Sequence, residues 1–232
     1  MNIALLIAGG IGQRMNMNTP KQFILVNDKP VIIYTLEAFQ KNKNIDEIAV
    51  VCLKDWVDDL KNWAQKYEIT KLTTVVEGGA TGMESLRRGM YALSEKYNDE
   101  EIIVIHDAVR PLISEKIIDD NIEGVKKYGN AITVLPSNSA LLYSENKLSS
   151  NRVVDRDLIA NTQTPQSLRL KKFREIHLEA LDKGIEDTVA TCTLLVELGN
   201  TVYFVNGDEM NFKITTAEHI DLLKAYLNMR DE

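Results

Sequence analysis

Short apolar runs alternate with amphipathic stretches along most of this chain. Residues Ile3–Ile7, Glu47–Leu53, Thr73–Val76, Ile102–Ile105, Ala131–Leu135 and Val202–Val205 are rich in Val and Ile and are bounded by polar or glycine-containing segments. That pattern predicts buried strands. Between them apolar residues recur at helical spacing. Over 55–67, Trp56, Leu60 and Trp63 fall at i, i+4 and i+7, one stripe of a helix, which makes both tryptophans core anchors rather than ligand platforms. Helices are also predicted over 30–41, 83–97, 115–128, 170–183, 188–198 and 217–229. Alternation of strand and helix predicts an α/β protein with a mostly parallel, twisted sheet and helices on both faces. Ligands of such sheets bind at the carboxyl ends of the strands.

The stretch 136–156 breaks this alternation. It is polar and serine-rich, but Ala140–Tyr143 and Arg152–Val154 are apolar runs on either side of a turn at Glu145-Asn146. The reading is a β-hairpin that protrudes from the sheet as an arm.

Composition narrows the function classes. The 232 residues, 44% of them hydrophobic, suffice for one α/β domain with a full core. With 27 basic against 34 acidic residues, the net charge of −7 advertises no nucleic-acid surface. Any phosphate site must therefore be built from local cations. Cys52 and Cys192 sit in apolar stretches and read as small core residues. No run of eighteen apolar residues occurs, and the N-terminus lacks the basic region of a signal peptide. The expectation is a soluble, cytoplasmic protein with no membrane partner.

The first predicted strand runs into I-A-G-G-I-G-Q-R-M-N-M-N-T-P-K, residues 7–21. Ala8, Gly9, Gly10 and Gly12 would let backbone N–H groups approach an anion with little in the way. Arg14 and Lys21 then add two fixed cations, which suits a triphosphate. The segment is not a P-loop, and Gly10 and Gly12 supply only half of a dinucleotide fingerprint. A nicotinamide-dependent oxidoreductase is accordingly disfavoured.

The string A-G-G-I-G-Q-R-M with T-P-K-Q-F resembles the signature of sugar-phosphate nucleotidyltransferases. Three more segments carry the likeness in the same order: H-D-A-V-R-P at 106–111, V-D-R followed by Q-T-P-Q within 154–166, and N-F-K-I-T at 211–215. Within that group the chain resembles the cytidylyltransferases that act on methylerythritol phosphate or ribitol phosphate. The resemblance implies a single Rossmann-like nucleotidyltransferase domain over 1–232 with a dimerisation arm at about 136–156. It also implies CTP and a small phosphorylated alcohol as substrates, Mg²⁺ as cofactor, and a homodimer. The implied reaction is attack of the acceptor's phosphate on the α-phosphate of CTP, with pyrophosphate leaving. Carried over residue by residue, the resemblance assigns Arg14, Lys21, Arg156 and Lys213 to catalysis. Arg110, Arg156 and Lys213 take the acceptor's phosphate, and Asp107 and Asp208 serve the metal. Gly78, Gly79 and Ser85 join the first loop in binding the nucleotide. Without the motif, helix capping would be the other reading of Asp107. His106 is expected to pack rather than to act as a base, because the attacking phosphate is already an anion.

Two departures stand out. The loop at 78–85 reads G-G-A-T-G-M-E-S, so Gly82 stands where relatives carry Arg. In the arm, Ser139-Ala140 stands where relatives carry Asp-Thr, which removes a carboxylate suited to polyol hydroxyls and a hydroxyl suited to phosphate. The expected acceptor is therefore a small polyol phosphate other than methylerythritol phosphate, and ribitol phosphate is disfavoured nearly as much. A nucleotide-binding relative that has lost catalysis is the alternative of another class.

Overall fold

The computed structural model describes residues 1–10 and 19–230. Its strands are β1 (Asn2–Ala8), β2 (Leu25–Val26), β3 (Lys29–Pro30), β4 (Glu47–Cys52), β5 (Leu72–Glu77), β6 (Ile102–Asp107), β7 (Asn130–Pro136), β8 (Leu141–Tyr143), β9 (Arg152–Val154), β10 (Ala160–Arg169) and β11 (Phe204–Asn206). The helices are α1 (Val31–Lys41), α2 (Val57–Lys66), α3 (Gly82–Lys96), α4 (Glu115–Tyr128), α5 (Leu170–Asp182), α6 (Thr191–Glu197) and α7 (Ala217–Arg230). Seven strands form one sheet in the order β11-β7-β10-β6-β1-β4-β5. All its pairings are parallel except the two made by β10.

The period-two pleat divides the core. From β1, Ala4, Leu6 and Ala8 face one side, where they join Ile48, Val50 and Cys52 of β4 and the apolar stripes of α1, α2 and α4. Ile3 and Leu5 face the other side with Ala49, Val51 and the stripes of α3, α5 and α6. Strands buried on both faces need continuous apolar sequence, which is what the runs supply. Helix ends are set locally. Ser114 caps α4 by accepting the N–H of Ile117, and Gly129 closes the helix at φ +87°. Cys52 and Cys192 are both buried and free.

The hairpin prediction holds, with β8 paired antiparallel to β9. The main omission is β10, a central strand. Its sequence, A-N-T-Q-T-P-Q-S-L-R, lacks an apolar run because buried hydrogen bonds take the place of apolar packing. Thr133 Oγ1 donates to Pro165 O at 2.7 Å, Ser167 Oγ to Asn121 Oδ1 at 3.0 Å, and Asn121 Nδ2 to Thr133 Oγ1 at 2.9 Å. Pro165 falls within the register shift between Thr162 and Gln166, where a missing N–H is tolerated. The helix expected over 188–198 starts only at Thr191, and the strand expected over 202–205 is displaced to Phe204–Asn206.

One core residue makes stability depend on pH. His177 of α5 is 1% exposed, packs edge-on to Phe173 and has no hydrogen-bond partner on either ring nitrogen. Burial, with Arg87 adding a like charge, pushes it down to about 4. The folded pKa thus lies below the unfolded value, so the unfolded chain binds the extra proton between about pH 6.5 and 4. Stability must fall as pH falls through that window, by up to about 3 kcal/mol from this group. Urea unfolding of the parent and of His177→Leu at pH 7 and pH 4.5 checks this. The variant is expected to lose part of the pH dependence, and identical slopes would refute it.

Candidate active site

A cavity of about 620 Å³ opens at the carboxyl ends of β1 and β6. One wall is the end of β1 with Ala8, Gly9 and Gly10, backed by Lys21 and Gln22. Gln22 is buried, and its amide donates to Ala8 O at 2.7 Å and Gly10 O at 3.0 Å, which fixes where the chain leaves the sheet. Lys21 opens a short 3₁₀ turn, Lys21–Phe23. Phe23 anchors that turn by stacking on Trp56 with centroids 4.5 Å apart, and Trp63 lies 5.8 Å from the same ring. The tryptophans are thus core anchors, and what they anchor is the base of the Lys21 turn. Gly12 and Arg14 lie outside the described residues.

The second wall is the turn into α3. Gly78, Gly9 and Ser85 pack so closely that a Cβ on Gly9 would sit 2.9 Å from Ser85 Oγ, and one on Gly78 would sit 3.2 Å from it. Ser85 Oγ accepts the N–H of Gly79 at 3.0 Å, and Glu84 accepts that of Ala80 at 2.7 Å. Arg88 binds both Glu84 and the carbonyl of Gly78. A Cβ on Gly82 would meet nothing within 4 Å, so the glycine at this rim position leaves open space rather than relieving a clash.

The third wall holds the charges. Asp107 ends β6. Its Oδ2 accepts from Arg110 Nε at 3.0 Å and its Oδ1 from Lys213 Nζ at 3.0 Å. Burial opposes the charge on Asp107, but Lys213 and Arg110 outweigh it and hold the carboxyl at about 2. One carboxylate and two cations leave a net positive cluster, which suits a phosphate dianion. Asp107 caps no helix, since Ser114 does that for α4. His106 is fully buried, and burial first of all pushes it down to about 3. The neutral ring can only donate from Nε2 to Arg110 O, at 3.3 Å, so Nδ1 accepts from Thr164 Oγ1 at 3.0 Å. Thr164 Oγ1 in turn accepts the N–H of Asp107 at 3.1 Å. His106 is therefore a packing and hydrogen-bonding residue, as expected.

Other predicted site residues lie elsewhere. Asp208 is exposed, does not line the cavity, and caps a turn by accepting the N–H of Met210 at 2.8 Å. Arg156 is exposed at the foot of the arm, where it donates to Asn138 O at 3.3 Å, and it too is absent from the cavity wall. Ser139 and Ala140 are exposed nearby. Conversely, Gln163, Thr164 and residues 188–191 line the cavity although the sequence assigns them no site role. The Q-T-P-Q string was visible as a motif. The 188–190 segment was hidden by a helical pattern that extends too far upstream. No group of three His, Cys, Asp or Glu side chains fit to hold a metal occurs among the described residues.

A glycine-rich turn at a strand end, a second small-residue turn facing it and a net-positive Asp–Arg–Lys cluster define a nucleotidyltransferase-type site on a Rossmann-like sheet. The chain belongs to the 2-C-methyl-D-erythritol 4-phosphate cytidylyltransferase (IspD) family, which it matches over residues 2–230. It is thus an enzyme of the cytidylyltransferase class. Ribitol-5-phosphate cytidylyltransferase of Lacticaseibacillus paracasei is 38% identical over 233 residues, covering 100% of both chains. The enzyme of the same name from Vibrio parahaemolyticus is 40% identical over 232 residues, covering 100% of this chain and 98% of its own. The crystal structure of 4-diphosphocytidyl-2C-methyl-D-erythritol synthase from Anaerococcus prevotii superposes with a TM-score of 0.80 at 27% identity over 98% of each chain. No helix among the described residues is long and apolar enough to cross a membrane.

Proposed function

We propose that this chain transfers CMP from CTP to ribitol 5-phosphate, giving CDP-ribitol and pyrophosphate. The observation that carries the acceptor is the full-length identity of 38% and 40% to two relatives that bear the ribitol-5-phosphate name. That shifts the weight away from a more unusual polyol. Methylerythritol 4-phosphate is the competing acceptor, because the family to which the chain belongs carries that name.

The chemistry needs alignment and charge neutralisation more than covalent help. A phosphate oxygen of the acceptor forms a bond to the α-phosphorus of CTP, and the bond to the β-phosphate oxygen breaks. Lys21 neutralises charge that builds on the leaving pyrophosphate, and Arg14 is assigned to the same role by its motif alone. Ala8, Gly9 and Gly10 bring backbone close to the triphosphate, with Gly12 assigned to the same role by its motif, and Gly78, Gly79 and Ser85 form the wall for the base. A wall of backbone and small side chains favours a pyrimidine. The acceptor's phosphate would share Arg110 and Lys213 with Asp107, which relieves the carboxylate oxygens.

That sharing is how the site fits Mg²⁺. A single carboxylate suits an ion that draws its other ligands from nucleotide phosphates and water. Asp107 would hold it, with Asp208 a second and more distant candidate. The ion would supply neutralising charge at the phosphates.

Arg156 fits a dimer. The arm exposes Leu142 at 65%, Leu148 at 92% and Val153 at 77%, which is costly unless a partner covers them. We read the arm as packing on a second copy and delivering Arg156 to that copy's cavity. A cytoplasmic location is part of the same reading.

Pyrophosphate release measured with CTP, ATP, GTP and UTP against ribitol 5-phosphate, glycerol 3-phosphate and methylerythritol 4-phosphate tests this reading. CTP with ribitol 5-phosphate is expected to have the highest kcat/KM. Equal turnover with ATP would sink the nucleotide assignment, and efficient turnover of methylerythritol 4-phosphate would sink the acceptor.

A further inference from the structure

Asn211 is fully buried and contributes nothing to the cavity lining, yet it joins three segments that build the charged wall. Its Nδ2 donates to Thr164 O at 2.8 Å and to Gln163 Oε1 at 3.1 Å. A main-chain carbonyl can only accept, so the orientation of this amide is fixed by its partners. Its own main-chain carbonyl accepts from Arg110 Nη1 at 2.7 Å. Arg110 is thereby fastened twice, once on Asp107 through Nε and once on the backbone of residue 211. Gln163 secures the same turn, donating to Asp208 O at 2.9 Å. The space around it is tight, since a Cβ on Gly207 would lie 2.5 Å from Gln163 Oε1.

The remaining atom of the amide, Oδ1, is buried with no hydrogen-bond partner. An unsatisfied buried acceptor is a standing cost to stability. An amide kept for folding alone would be poorly placed here. What its N–H groups secure is the position of one main-chain carbonyl, and that carbonyl aims a guanidinium.

We propose that Asn211 is the positioning residue for Arg110: it holds the carbonyl that orients the guanidinium toward the acceptor's phosphate, without touching substrate itself. This rests on the reading of Arg110 as a phosphate ligand given above.

The test is a double-mutant cycle on the full-length protein with Arg110→Ala, Asn211→Ala and the pair. Steady-state kinetics with CTP and ribitol 5-phosphate are combined with thermal unfolding. Asn211→Ala should raise the acceptor KM by roughly ten- to hundredfold, the scale for a displaced hydrogen bond to a charged group. The CTP KM should stay within about twofold, because the nucleotide walls are separate from this network. Acting through Arg110, the second substitution should add little, so the pair should match Arg110→Ala. A purely structural role would lower the unfolding temperature without splitting the two KM values. Losses that multiply in the pair would overturn the inference while leaving Arg110 in its place. An unchanged acceptor KM in Arg110→Ala would instead bring down the phosphate-site reading, and this inference with it. Should Asn211→Ala fail to fold, Asn211→Ser keeps one donor and carries the same cycle.

Discussion

Asp107→Asn is expected to lower kcat by about 10²-fold or more while the protein stays folded, the scale for loss of a carboxylate that organises charge at a reacting phosphate. The substitution is nearly isosteric, but it exchanges an acceptor-only group for one that donates on one side. Either Arg110 Nε or Lys213 Nζ, each 3.0 Å from its own oxygen, would then face an N–H₂. The two cations would also lose their shared counter-charge. The carboxyl is held at about 2 by those neighbours, so it is ionised throughout the working range, and no choice of neutral pH can mimic the variant. Circular dichroism and the kcat of the purified variant decide the matter, and a near-normal kcat would refute the role.

A second large effect is expected if two copies exchange arms as proposed above. Lys21→Ala should cripple kcat with little change in acceptor KM, and Arg156→Ala should mainly raise the acceptor KM. Lys21 lines its own chain's cavity, whereas Arg156 is exposed at the foot of the arm. A heterodimer of the two variants would therefore concentrate both defects in one site and leave the other intact. Each mixed dimer should recover up to about half of the parental activity, because reciprocal arms close into a two-fold pair. Purification through two different affinity tags verifies the heterodimer. A verified heterodimer without recovered activity, or a protein that sediments as a monomer, rules the exchange out.

How far the sequence reveals the molecule depends on what each part is made of. Strands β1, β4 and β6 are legible because burial on both faces demands unbroken apolar residues. β10 is not, since Thr133, Asn121 and Ser167 satisfy it through side-chain hydrogen bonds that leave no hydropathy signal. The charged wall follows the same division. Asp107, Arg110 and Lys213 are found by motif and do converge, although 106 residues separate Asp107 from Lys213. Gln163 and Asn211 belong to motif strings, but their work depends on a contact across 48 positions, which no local pattern encodes. Residues 188–190 read as the first turn of a helix that starts only at Thr191, because apolar spacing alone cannot locate where a helix begins. Arg156 is the reverse case, a motif residue that its own chain keeps away from its own cavity.

The stack of Phe23 on Trp56, with Trp63 beside it, also has an optical consequence. These are the chain's two tryptophans, and both lie at the foot of the turn that presents Lys21. Intrinsic emission excited at the indole edge therefore comes from one neighbourhood rather than being averaged over the molecule. The protein thus carries a built-in fluorophore pair at the base of the turn that presents Lys21, whose emission is expected to report on that turn without a label.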